Sequence, residues 1–125
     1  MRAAGAIRET WEEANARVEI VAPYAHLDIP MIGQAYVLFR ARLTAPYTFS
    51  CGPETLEVKL FKPEEIPFDE LAFSSIAITL QHWVEDCKLG RRSIHHGVIN
   101  KKAGVKAWDL SAFEYADSYS CQVPP

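Results

Sequence analysis

The chain has 125 residues and a mass of 14.1 kDa, which is room for one domain. Its 49% hydrophobic fraction can bury a core, while a formal charge of -3 and a pI near 5.8 give no electrostatic reason for a nucleic-acid or anionic-membrane partner. No apolar run approaches the roughly 20 residues that a bilayer crossing needs. The opening "MRAAGAIRE" lacks the apolar region of a signal peptide and turns acidic at once, unlike a transit peptide.

In chain order, Ala3 to Ala14 is rich in helix formers and reads as the first helix. Asn15 ends it, because Asn tolerates the left-handed backbone that closes a helix. Arg17 to Ala22 reads as a strand, with a second extended stretch from Ala25 to Ile29. Gly33 to Leu43 carries the strongest strand signal, being aromatic and β-branched with partial alternation. "TAPYTFSCGPE" is a loop. Thr55 to Phe61 alternates as a half-buried strand, with Leu56, Val58 and Leu60 on one side and Glu57 and Lys59 on the other.

"KPEEIPFDELAF" is a turn-rich connection. A second amphipathic helix then starts at a Ser74 or Ser75 cap, places Ile76, Leu80, Trp83 and Val84 at helical spacing, and stops before Gly90. His82 and Trp83 read as structural. Residues 105–125 have weak periodicity and read as an irregular tail, with one short helix near Ala107 to Tyr115. Cys51, Cys87 and Cys121 form no CxxC pair, zinc spacing or disulfide framework, and read as reduced thiols. The order helix, strands, helix predicts a mixed α/β domain.

The chemistry concentrates in "RETWEEANA", Arg8 to Ala16. On a helix, Glu9, Glu12 and Glu13 stand at i, i+3 and i+4 and project carboxylates to one side. Repulsion between Glu9 and Glu13 costs a few tenths of a kcal/mol, roughly 0.2–0.5. A hard divalent ion such as Mg²⁺ or Mn²⁺, which takes oxygen ligands, converts that cost into affinity. The other reading is a solvated, ion-paired face, with Arg8 facing Glu12 and Glu13 facing Arg17 at i, i+4. Spacing alone leaves both open. His95 and His96 are adjacent, so on a strand they face opposite ways, a poor arrangement for a metal pair.

Arg8, Glu9, Glu12 and Glu13 match the second half of the Nudix box, G-x5-E-x7-R-E-U-x-E-E-x-G-U, where U is a bulky apolar residue. Thr10 and Ala16 are smaller than usual, and Asn15 stands for the last Gly. "LDIPMIGQAYVLFRARL", "ETLEVKLFKPEEIPFDELAFSSIAITL" and "HHGVINKKAG" extend the likeness. Residues 2 to about 104 resemble plant Nudix hydrolases of the FAD diphosphatase type and, more weakly, bacterial ADP-ribose pyrophosphatase-like proteins.

The resemblance implies a Nudix-type α/β/α sandwich over residues 1–104 and a pyrophosphatase that attacks phosphorus with water. By resemblance, Glu9, Glu12 and Glu13 hold Mg²⁺ or Mn²⁺, Glu9 is also catalytic, and Arg8 orients the glutamates. Glu57 is the further carboxylate that completes the shell or serves as base, with Glu54 the runner-up. A surface pairing of Glu57 with Lys59 is the competing reading. Tyr24, Tyr36 and Phe39 are aromatic candidates for a ring-binding slot, against an ordinary core role. The substrate implied is a dinucleotide, FAD cleaved to FMN and AMP, with ADP-ribose as the alternative. A homodimer and, through the plant relatives, a plastid location follow from the same likeness.

Aligned on the motif, Met1 falls on the first spacer residue, so the motif's first glutamate would stand just before Met1 and its Gly six positions further upstream. The sequence reading therefore expects an enzyme truncated inside its box, lacking the preceding strands and inactive as 125 residues. The alternative is a non-catalytic remnant or a subunit completed by a partner.

Overall fold

The computed structural model describes the chain over residues 3–101 and 113–122, and its side chains over 3–100. Helix α1 spans Ala3–Ala14 and β1 spans Val18–Ile29. β2 spans Gln34–Leu43, α2 Ser74–Leu89, β3 Ser93–Lys101 and β4 Phe113–Gln122. The strands form one sheet in the order β2-β1-β3-β4. Two compact units emerge, Met1–Pro23 with Phe39–Leu60, and Tyr24–Leu38 with Phe61–Pro125; β1 and β2 contribute residues to both.

In the first unit, α1 stops at Asn15, whose φ of 46° is the left-handed conformation that its sequence suggested. The Asn15 amide donates to the Trp11 carbonyl at 2.9 Å, closing the last turn. The helix is amphipathic and buries none of its residues fully.

In the second unit, β1 and β3 run parallel with Ala25 opposite His95 and Leu27 opposite Gly97. Parallel neighbours need a crossover, which α2 provides. Leu27 and Ile99, both fully buried, pack with Ala25, Ile29, Tyr24 and Ile78, and Leu38 and Trp83 close the edges. α2 ends at Gly90, whose φ of 63° accepts the left-handed cap and whose amide bonds back to Cys87 at 3.3 Å.

Four expectations need correction. Thr55 to Phe61 is not a strand: Leu56 and Leu60 are exposed, and the segment lies outside every strand of the described sheet. Alternation makes a segment able to pair, but a strand forms only where a neighbouring backbone accepts it. Residues 113–122 are not irregular but form β4, antiparallel to β3 from Phe113 opposite Lys101 to Gln122 opposite Ser93, with a break at His96/Gly97. Its sequence, FEYADSYSCQ, lacks a clean apolar face because an outermost strand need bury little. The remaining part of the expected short helix lies outside the described residues.

The third correction is that β1 runs unbroken through Pro23. Its register with β3 covers Ala25 to Asp28, so Pro23 precedes the part that must donate to that neighbour. The fourth concerns the α2 cap, which is Phe73 with no side-chain bond, leaving Ser75 buried inside the helix. The buried face of α2 comprises Ser75, Ala77, Ile78, Thr79 and Asp86, a rotation away from the Ile76-Leu80-Val84 stripe.

Candidate active site

The C-terminal end of α1 leaves carbonyl groups without helical partners, and residues 50–55 supply the donors. Ser50 donates its amide to Ala14 at 2.8 Å, Gly52 donates to Glu13 at 3.0 Å, and the Thr55 hydroxyl donates to the same Glu13 carbonyl at 2.7 Å. The Asn15 side-chain amide adds bonds to the Ser50 hydroxyl, 2.9 Å, and the Cys51 carbonyl, 3.1 Å. Gly52 lies so close that a Cβ there would stand 1.9 Å from the Glu12 carbonyl oxygen. Only glycine permits that approach.

This clamp sets Glu54 beside the helix. Glu9, Glu12 and Glu13 of α1 and Glu54 of the loop line one cavity of about 460 Å³, with Trp11, Asn15, Pro53 and Thr55 completing its wall. The three helix glutamates are therefore brought together as their spacing predicts. Arg8 holds Glu12 by a loose contact of 3.9 Å. The Arg17 guanidinium, which the ion-paired reading set opposite Glu13, lies over the Trp11 ring at 5.3 Å.

The cavity offers carboxylates and no thiol or imidazole, a donor set suited to a hard divalent ion. Like charges that line one cavity repel, and a hard divalent cation bound there would offset that repulsion. The carboxylates line the cavity without yet converging: among the described residues, the group of three donors within 4.8 Å of one another is His26, Asp28 and His96.

Other sequence candidates lie elsewhere. Glu57 sits in an extended, exposed loop and pairs with Lys59 at 2.9 Å, the surface reading of that residue. Tyr24 is buried in the second unit, where its hydroxyl donates to Asp86 at 2.5 Å and its ring meets Trp83 edge-on. Tyr36 is exposed and donates to Gln34, and Phe39 is half-buried on β2. Cys51 and Cys87 are free thiols, and burial with the Asp86 and Glu64 charges pushes the Cys87 thiol up.

Asp86 is the charged residue that the sequence did not single out. It is 2% exposed and accepts bonds from Tyr24, from Arg91 Nε at 2.8 Å, from Ser93 Oγ at 3.2 Å and from His95 Nε2 at 3.1 Å. Burial alone would raise this carboxyl; the bonds from Arg91, Tyr24 and His95 outweigh it and hold it at about 2. An ionised carboxylate only accepts, so His95 presents a protonated Nε2, and the ring stacks on His82 at 4.0 Å. Burial and the Asp86 carboxylate push the Tyr24 phenol far upward. This network knits β1, α2 and β3 together and reads as structural.

The chain is 48% identical to a structure described as a NUDIX hydrolase from Nitrosomonas europaea, and superposes on it with a TM-score of 0.73. The match covers 78% of this chain and 55% of that one, so the chain spans a little over half of the neighbour's length. No family model and no curated protein matches the chain. The fold is a mixed α+β arrangement like that of this Nudix hydrolase neighbour.

Proposed function

We propose that this chain carries the glutamate helix of a Nudix pyrophosphatase, and that the complete enzyme cleaves FAD to FMN and AMP. The carrying observation is the cavity shared by Glu9, Glu12, Glu13 and Glu54, together with the likeness to a Nudix hydrolase. Divalent metal, Mg²⁺ or Mn²⁺, would be held by the helix glutamates, where it would neutralise diphosphate oxygens and favour attack by water.

The chain's own groups have distinct tasks. Glu9, Glu12 and Glu13 supply the negative field that attracts the cation, and Arg8 limits the freedom of Glu12. Glu54 faces the cavity from the opposing loop, and of the two outlying carboxylates it is better placed than Glu57 to take a proton from the attacking water. Trp11 and Pro53 give the cavity an apolar wall.

Because the chain spans 55% of the neighbour's length, the 125-residue form is proposed to turn over slowly or not at all by itself. The test is a preparation of the complete protein given FAD and Mg²⁺ or Mn²⁺. Flavin fluorescence rises as adenine is released, and Glu12→Gln or Glu13→Gln removes the rise. Cleavage of ADP-ribose with FAD left intact would keep the reaction class and overturn the substrate.

A further inference from the structure

We propose that His26, Asp28 and His96 form a second cation site, chemically unlike the glutamate cavity, which takes a borderline transition ion and Zn²⁺ first among them. The site arises from strand register. His26 and Asp28 are two residues apart on β1 and so share a face, and His96 is the direct partner of His26 across the parallel β1–β3 ladder. The two imidazole rings stack in parallel, 4.6 Å between centroids and 9° between planes, and both turn a ring nitrogen toward one carboxylate.

The distances leave room for a shared ion between the three side chains. His26 Nε2 lies 3.5 Å from Asp28 Oδ1, and His96 Nε2 lies 3.4 Å from Asp28 Oδ2. Good charge-assisted N–H···O bonds are shorter, about 2.7–2.9 Å. Ligands about 2.0–2.2 Å from a tetrahedral zinc stand about 3.3–3.5 Å from each other, which is close to the separation of each imidazole nitrogen from its facing Asp28 oxygen. All three donors already fall within 4.8 Å of one another, and the side chains are half-exposed, so an ion can enter and water can complete its shell. Two imidazoles and one carboxylate suit zinc better than magnesium, which prefers oxygen alone. Bound there, the ion would clip β1 to β3 on the sheet face opposite Leu27 and Ile99.

The site stands independently of the enzymatic reading and is tested on the 125-residue chain. Zn²⁺ titrated at neutral pH is followed by the imidazole nitrogen NMR signals of His26 and His96 and by calorimetry. The expected result is uptake of one ion with both histidines shifting together, weakened more than about tenfold in His96→Gln and in Asp28→Asn. The melting temperature rises with Zn²⁺ in the unaltered chain. Unmoved His26 and His96 signals in the unaltered chain, or His96→Gln binding Zn²⁺ at full strength, would overturn the proposal. The NMR reading needs no variant and so decides the matter even where a substitution prevents folding.

Discussion

The side-chain amide of Asn15 donates to the carbonyl of Cys51 at 3.1 Å, tying the end of the glutamate helix to the loop that carries Glu54. The Nudix motif has Gly at this position. Gly would satisfy the left-handed backbone but could not make this bond or its companion to Ser50. Asn thus fills a conformational role and adds a clamp.

That distinction predicts an ordered pair of variants. Asn15→Gly keeps the backbone and loses two partly exposed bonds, a destabilisation of about 1 kcal/mol. Asn15→Ala loses the bonds and adds the left-handed penalty, for a total of about 2–3 kcal/mol. Urea unfolding of both variants reads the difference. Equal losses would mean that the side-chain bonds contribute nothing.

Gly52→Ala should be at least as damaging as Asn15→Gly. The added methyl would stand 1.9 Å from the Glu12 carbonyl oxygen, a backbone atom that cannot swing aside. The loop must lift, Glu54 leaves the cavity, and stability falls by about 2 kcal/mol or more. Under the proposed hydrolase function, hydrolysis falls with it. Unfolding curves and turnover measured on one preparation check both halves.

How much of this was legible in the sequence depends on whether each element carries its own signal. α1 with Asn15, and α2 with Gly90, announce themselves because helix periodicity and caps are local. Thr55 to Phe61 misleads because alternation is only half of a strand, and its Lys59 finds Glu57 on the same segment instead of a sheet neighbour. β4 hides because its stability comes from the β3 backbone rather than from its own pattern. The glutamate cluster was readable from spacing, whereas the place of Glu54 on the same cavity wall needed the fold of the 50–55 loop. The nearness of His26 and Asp28 to His96 could not be read from the sequence, because it depends on the parallel pairing of His26 with His96. Asp86 gave no warning, since a lone aspartate in a helix is ordinarily at the surface.

Asp86 gives a pH signature with a definite sign. The folded chain holds its carboxyl at about 2 against an ordinary 3.8. Between those values the unfolded chain binds more protons, so the stability this group contributes is complete above about pH 4 and is lost as pH falls toward 2. Asp86→Ala, which leaves Tyr24, Arg91 and His95 without their acceptor, costs about 3 kcal/mol near neutrality, moderated because Arg91 can still reach water. Denaturant midpoints from pH 6 to pH 2 should show the two proteins converging on the acid side. A constant gap would count against the network.

Removing single carboxylates separates the roles in the cavity. Under the proposed hydrolase function, Glu54→Gln should lower turnover by about 10²–10⁴-fold if it takes the proton from water, whereas Glu57→Gln should change it little. Steady-state rates at saturating metal make the comparison. A deep loss in Glu57→Gln with Glu54→Gln unaffected would reverse the assignment.

The central claim is that the acids of α1 exist to hold a divalent cation, and Mn²⁺ added to an isotopically labelled chain tests it most directly. Paramagnetic broadening should appear first and strongest at the amides of Glu9 to Asn15 and of Glu54 and Thr55, and disappear in Glu12→Gln/Glu13→Gln. Signals along α1 that stay sharp while Mn²⁺ is added, or broadening confined to other surfaces, would contradict the account.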